Sequence, residues 1–580
     1  MSQPLLVQAY NALERNDLPQ VERLCREALR MAPRSGEPLH LLGISARRQN
    51  RLAEAEALLR EAWRRQPEQP EIVNNLTALL CSAADHDQAL NVAEAGLALH
   101  PGFAYLHANR GVALHGLGRS AEAVDAFRRA LADLPQLEMA LFGLASALEA
   151  LKRQTEAEPV LRALLDAHPD HAEGFNLLGR TLAAQDKHAE AAAAFQHTLR
   201  LRPDHAQAWT NLASTLLKLE RPEEALDAAR RALELTPDNA LAHNNASIIC
   251  QELVRLDEAI AHSRRAVSLD PENIDAHWCL GLQLLYAGHW AEGWEEYEWR
   301  WRLPFHRMMA GPPVWSGQIL GKNALLVNTE QGQGDSLQFL RYVPLLRPYC
   351  SNLIVRVQPS LKRLTTAGFP DVSVIDYEDD IPPVPFQVPL MSLPHILGCD
   401  GEDSIPRQVP YLHSDPLAAE RWRQRWRDGK SLRRIGIAWR GSPTYKRDHL
   451  RSLGLETLAP LLNLPGCRFY ALHPDIRDDE QPLLEQFGIE NLSTELTDFH
   501  DTAALLESLD IVIAVDTSAI HLAGALGRPA WVMLPFSCDW RWGASRTDSP
   551  WYPSLRLFRQ KAARDWAPVV AEMAESLRLV

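Results

Sequence analysis

Prolines at positions 33, 67, 101, 135, 169, 203, 237 and 271 stand 34 residues apart, in a chain where Pro makes up only 39 of 580 residues. A fixed period of that length marks a stack of like units, each unable to bury its apolar face without a neighbour. Ala55, Ala89, Ala123, Ala157, Ala191, Ala225 and Ala259 keep one position in this register. Gly43, Gly111, Gly179 and Gly281 keep another, replaced by Ala145 and Ala213 in two units. Small side chains there let the two helices of a unit approach closely, and proline, which has no N–H to donate, ends the second helix.

The pattern is the tetratricopeptide signature. It predicts eight helix pairs beginning near residues 2, 36, 70, 104, 138, 172, 206 and 240, then a degenerate ninth from about 274, stacked as a right-handed solenoid over residues 1–307. Asn75, Asn109, Asn211 and Asn245 share one position in the first helix of their units, broken by Gly143 and Leu177. An amide offers a donor and an acceptor, so such rows suit the backbone of a captured peptide; the alternative is bonding to neighbouring helices or water. The run "GHWAEGWEEYEWRWRLPF", with Trp290, Trp294, Tyr297, Trp299 and Trp301, closes the array. The end of a solenoid needs covering, so packing against the next domain is expected, with a sugar-stacking platform as the alternative. Residues 308–322 read as a linker.

Composition sets the outer bounds. Apolar residues make up 46% of the chain, enough for globular cores, and the formal charge of -14 argues against a general grip on nucleic acid. The first residues lack the basic and apolar regions of a secretory signal, and no apolar run reaches the ~20 residues of a membrane span, so a cytoplasmic chain is expected. The eight cysteines include no C-x-x-C pair, which signals neither a zinc ribbon nor a disulfide framework.

After residue 322 short apolar strands alternate with helices: 324–328, 352–357, 372–375, 434–439, 467–472, 510–515 and 530–534. Such alternation implies parallel sheets, here as two Rossmann-like lobes over 323–415 and 416–580. Ligands of such sheets sit beyond the carboxyl ends of the strands. "EQGQGD" follows the first strand, so Gly332 and Gly334 permit close backbone approach and Asp335 either accepts a proton or caps the next helix. In "IAVDTSAIHLAGALG", Thr517 and Ser518 open a helix whose free N–H groups suit a phosphate. His521 donates to that phosphate or to a sugar hydroxyl, or is structural, and Asp516 holds the loop or a donor sugar, or only caps. "IAWRGSPTYKRDHLRS" gathers Arg440, Lys446, Arg447 and Arg451, either phosphate ligands or a solvated loop. Trp540, Arg541 and Trp542 either flank a nucleotide base or pack the lobes together. No strand ends in a D-x-D pair, so no metal site is expected.

"EQGQGDSLQFLRYVPLL", "IAWRGSP", "VDTSAIHLAGALGRP" and "DSPWYPSLRLFRQ" together resemble bacterial tetratricopeptide-containing glycosyltransferases, whose catalytic half is similar to the lipopolysaccharide heptosyltransferases. The resemblance implies a GT-B pair of lobes and an inverting, metal-independent transfer with no cofactor beyond a nucleotide-sugar donor, CMP- or UDP-linked. It gives Asp335 the place of the catalytic base, sets Gln331, Gly332, Gly334 and Gln338 along the acceptor loop, and makes Arg440, Lys446, Arg451, Asp516, Thr517, Ser518 and His521 donor-binding residues. The basic segment departs from the heptosyltransferase form in length and content. Relatives include flagellin glycosyltransferases that use CMP-activated nonulosonic acids. Protein O-glycosylation of Ser or Thr, with flagellin the acceptor suggested by resemblance, is therefore expected. The alternatives are glycan or lipopolysaccharide transfer and a non-catalytic scaffold.

Overall fold

A computed structural model of the chain describes residues 3–303, 311–426, 432–445 and 447–579. The first helices of the repeats begin at Gln3, Glu37, Pro70, Ala104, Glu138, Ala172, Ala206 and Ala240, within one residue of the expected starts, and a ninth pair, Ile274–Ala287 and Trp290–Tyr297, follows. The period works through two backbone devices. Pro cannot follow a residue in the α region without a clash, so Ala32, Gln66, His100 and their equivalents leave the helix with ψ of 65–87° while their N–H still reaches back to the carbonyl four residues earlier. Between the helices of each pair one residue turns into the left-handed region: Asn16, Asn50, Ala84, Gly118, Lys152, Asp186, Glu220, Val254 and Gly288. The small-residue positions do what the spacing predicts. A Cβ on Gly179 would lie 2.5 Å from the Phe195 ring, and the seven registered alanines are fully buried.

The chain divides into two compact units, residues 1–237 and 238–580. The second therefore begins inside the repeats, with helix Ala240–Glu252, and not at the linker expected at 308–322, part of which lies outside the described residues. Its α/β part holds two sheets. Strands β1 (Gly321–Asn328), β2 (Cys350–Val357), β3 (Ser373–Asp376) and β4 (Phe386–Pro389) form a parallel sheet in the order β3-β2-β1-β4. Strands β5 (Arg433–Ala438), β6 (Cys467–Ala471), β7 (Glu490–Asn491), β8 (Ile511–Val515), β9 (Ala530–Leu534) and β10 (Leu555–Arg559) form a second parallel sheet in the order β10-β9-β8-β5-β6-β7. In both, the strand order reverses beside the first strand, where the loops leaving neighbouring strands diverge and open a crevice. All seven expected strands are present. The unexpected ones are β4, crowded by prolines, the two-residue β7, and β10, whose apolar residues are broken up by Arg556 and Arg559 in the sequence.

The aromatic end of the repeats packs onto the α/β part. Trp294 meets Trp540 edge-on at 5.4 Å and Phe339 at 6.0 Å, and Trp290 meets Trp551 at 5.5 Å. Trp299 instead stacks on His277 at 3.6 Å, and Trp301 lies under the Arg300 guanidinium. Arg300 is fully buried; it pairs with Glu298 and Glu330 and donates to Ser392 Oγ at 2.8 Å. Glu330 also accepts from the Met391 N–H, so one buried ionic knot joins the last repeat to the carboxyl ends of β1 and β4. Removing one partner of such a knot strands a buried charge, at a cost of about 3–5 kcal/mol. A chain starting at residue 238 is accordingly expected to unfold cooperatively, whereas one starting at 311 loses Arg300 and the tryptophan lid and should melt at lower temperature and bind apolar dyes; calorimetry on the two truncations checks this.

Candidate functional site

A cavity of about 1010 Å³ opens where the carboxyl ends of β1, β5, β8 and β9 converge. Its walls are Gln331 to Asp335 after β1, Arg440 to Tyr445 after β5, Asp516 to Ser518 after β8 and Ser537 to Arg541 after β9. Gln251, Trp278, Leu282 and Tyr297 of the terminal repeats and His473 to Asp475 after β6 also line it. The cavity thus spans the crevice of the second sheet, between β5 and β8, and faces the loop that leaves β1.

That loop is held from three sides. Gln331 adopts a left-handed φ of 59°, and its Nε2 donates to the Tyr297 hydroxyl at 3.0 Å, tying the loop to the last repeat helix. Gly332 caps helix Gln333–Phe339, and its N–H donates to Asp335 Oδ2 at 2.8 Å. Gly334 serves a close approach of protein to protein: a Cβ there would lie 2.9 Å from His521 Cδ2, on helix Ser518–Ala525 of the second sheet. Asp335 thus caps its own helix, yet it also lines the cavity with 20% of its side chain exposed. Enclosure raises its pKa above the ordinary aspartate value, and Arg541 acts against that rise.

Arg541, which the sequence left between base stacking and lobe packing, joins the two sheets. Its guanidinium is 7% exposed and pairs with Asp335 Oδ1, with Gln338 Oε1 at 2.8 Å and with Asp539 Oδ1 at 2.8 Å. Gln338 is therefore corrected from an acceptor-loop residue to an anchor, since it is fully buried and points at Arg541. Trp540 and Trp542 are buried as packing residues, Trp542 against the His521 ring at 5.3 Å. A basic residue between two tryptophans was the available signal, but only the fold reveals its partners.

The turn after β8 has the expected form. Thr517 is extended and makes no side-chain cap, so the first N–H groups of helix Ser518–Ala525 open toward the cavity. Thr517 Oγ1 is buried and without a protein partner among the described residues. Asp516, beside it, is pushed up to about 6, first by burial and then by the Asp539 charge. His521 is buried with Nδ1 3.0 Å from the Tyr552 hydroxyl, and burial and three nearby arginines hold it neutral.

The basic segment differs from expectation. Arg440 is buried and spends its fork on Glu480, at 2.7 and 3.0 Å, and on Asp475. Arg451 donates to the Asp516 carbonyl at 2.6 Å and to Asp448 at 3.0 Å, so it ties the turn after β8 to the segment after β5. Arg447 pairs with Glu252 of the terminal repeats, and Lys446 lies outside the described residues. Proximity in sequence suggested one cationic cluster; in the fold these guanidinia have separate acidic partners. The asparagine row follows the alternative reading in three units: Asn75 bonds to His40 at 2.7 Å, Asn109 to Asn74 at 2.7 Å and Asn211 to Asn176 at 3.3 Å, each on the preceding repeat. Asn245 sits at the same position in the second unit, on helix Ala240–Glu252. Among the described residues no group of three or more His, Cys, Asp or Glu is arranged to hold a metal, and no helix is long and apolar enough to cross a membrane.

The tetratricopeptide repeat family matches residues 6–70, 80–138, 138–172, 176–240 and 210–274. Protein FlbA of Caulobacter vibrioides is 27% identical over 328 residues, 51% of this chain and 53% of that protein. The match thus spans about half the length of each. Among solved structures, YrrB, a TPR protein with an unusual peptide-binding site, is 25% identical and covers 32% of this chain and 95% of its own, with a TM-score of 0.29. MamA from Desulfovibrio magneticus RS-1 is 22% identical over 29% of this chain and 94% of its own, with a TM-score of 0.27. The chain carries a tetratricopeptide solenoid followed by an α/β region of parallel sheets.

The helix contact at Gly334 is testable. Gly334→Ala should cost about 1–3 kcal/mol through overpacking against His521. Gly332→Ala meets only the Asp335 carboxylate, at 3.1 Å, and should cost less. Urea unfolding of the two variants gives the order.

Proposed function

We propose that the chain is an inverting, metal-independent glycosyltransferase of GT-B type, which moves a sugar from a nucleotide-sugar to a Ser or Thr hydroxyl of a protein held by the repeats. The observation that carries this reading is that a carboxylate from the first sheet, Asp335, and an uncapped helix start from the second, Thr517 and Ser518, border one cavity. The phosphate of the donor sits on the free N–H groups of that helix and the Thr517 hydroxyl. The acceptor hydroxyl enters beside Asp335. As its oxygen bonds to the anomeric carbon, the bond from that carbon to the phosphate oxygen breaks, the proton passes to Asp335 and the electron pair leaves on the nucleotide. Arg541 and the Gly332 N–H occupy one site on each Asp335 oxygen, and a carboxylate has about four, so a site remains on each oxygen to take the proton.

The terminal repeats support an acceptor that is a protein, because Gln251, Trp278 and Leu282 border the same cavity as Asp335. Flagellin and a CMP-linked nonulosonic acid are the acceptor and donor suggested by family resemblance. A non-catalytic scaffold is the second reading, and one observation favours it: Arg440 and Arg451, expected to hold phosphate, are committed to protein acceptors.

Asp335→Ala should lower transfer by about 10²–10⁴-fold while leaving nucleotide binding intact. Thermal-shift measurements with UDP, ADP, GDP and CMP compounds should show one nucleotide raising the stability by about 2.7 kcal/mol at a hundred times its Kd, an increment that Thr517→Val reduces. No stabilisation by any nucleotide would favour the scaffold.

A further inference from the structure

We infer that Arg541 is the positioning residue of this site: it fixes the Asp335 carboxylate and sets its affinity for the acceptor proton. This rests on reading Asp335 as the base and adds the device that makes an enclosed carboxylate usable.

The geometry is specific. One planar guanidinium, delivered by the loop after β9, divides its donors among Asp335 Oδ1, Gln338 Oε1 and Asp539 Oδ1. The first two sit on the helix after β1, one turn apart, so the fork registers that helix against the second sheet. Trp540 packs under the guanidinium, with Cζ 4.5 Å from its ring, and blocks escape to that side. Gln338 gives its Oε1 to Arg541, and its Nε2 is buried with no partner among the described residues. A lysine ammonium could supply the charge but not the planar three-way division.

The charge matters as much as the geometry. The groups facing Asp335 are Arg541 and Asp539 from the loop after β9, the Tyr297 hydroxyl from the last repeat, and Asp516 and His521 around the helix start after β8. Burial and Asp539 favour the protonated carboxyl, which cannot act as a base, while Arg541 favours the carboxylate. His521 is neutral and adds no charge. Removing the Arg541 charge should therefore move the acid limb of kcat/KM to higher pH, whereas removing the Asp539 charge should move it lower.

The experiment measures pH profiles of kcat/KM and the donor KM for the full-length wild type, Arg541→Gln, Arg541→Lys and Asp539→Asn. Alongside, infrared spectroscopy follows the protonated carboxyl band of Asp335, assigned by its loss in Asp335→Asn. We expect the acid limb and the band titration to rise together by about one pH unit or more in Arg541→Gln, a tenfold loss of activity below the limb. Arg541→Lys should return both toward the wild-type pH but with lower kcat, and the donor KM should stay level throughout. Asp539→Asn shifts both in the opposite direction, which a general loss of structure does not do and which decides the matter if Arg541→Gln fails to fold. A band titration that does not move in either charge variant overturns the inference, as does a rise in donor KM with kcat unchanged, which would make Arg541 a donor contact. Full transfer by Asp335→Asn would instead remove the base assignment, while the band titration would still report whether Arg541 governs that carboxylate.

Discussion

A buried guanidinium, that of Arg541, is the interaction on which the site depends. It joins the helix that carries Asp335 to a loop of the second sheet and places a cation next to an enclosed carboxylate. Burying such a pair is a poor way to gain stability, since the desolvation of two ions consumes most of their attraction. What it supplies is register: with Gln338 and Asp539 as further acceptors, three bonds from one guanidinium hold the helix after β1 against the loop after β9. Arg300 does the same at the other side, where its pairing with Glu298 and Glu330 fixes the last repeat to the crevice of the first sheet.

These two arginines explain why the compact division of the chain ignores the boundary between repeats and sheets. The final repeat helices contribute tryptophans, a buried cation and four residues of the cavity wall, so they pack as part of the α/β unit. A repeat array propagates by nearest-neighbour contacts and can pass its end face to whatever follows. Here that face carries Trp290, Trp294 and Tyr297, and the cavity inherits one wall from it.

The sequence displayed the repeats almost to the residue, because proline punctuation and small-residue spacing are local and recur with each unit. It also displayed the strands that read as unbroken apolar runs, and missed β4, β7 and β10, where prolines, brevity or interrupting arginines masked the pattern. Of the site, the loop with Asp335 and the turn with Thr517 and Ser518 were legible, since glycines and small hydroxyl residues at a strand-to-helix junction have few other uses. The arginines were less so. Arg440, Arg447 and Arg451 lie close in the chain, yet each turns to a different carboxylate or carbonyl, and the charge that reaches Asp335 comes from Arg541, 206 residues away.

What the sequence determined by itself is everything set by short-range geometry: where helices end, which faces are apolar, and which loops lie beyond strand ends. The tertiary structure alone decided which distant charges meet, Arg541 with Asp335 and Arg300 with Glu330. A guanidinium bonds to whatever acceptor the packing brings within about 3 Å, and that acceptor is chosen by the order of strands and the crossing of helices.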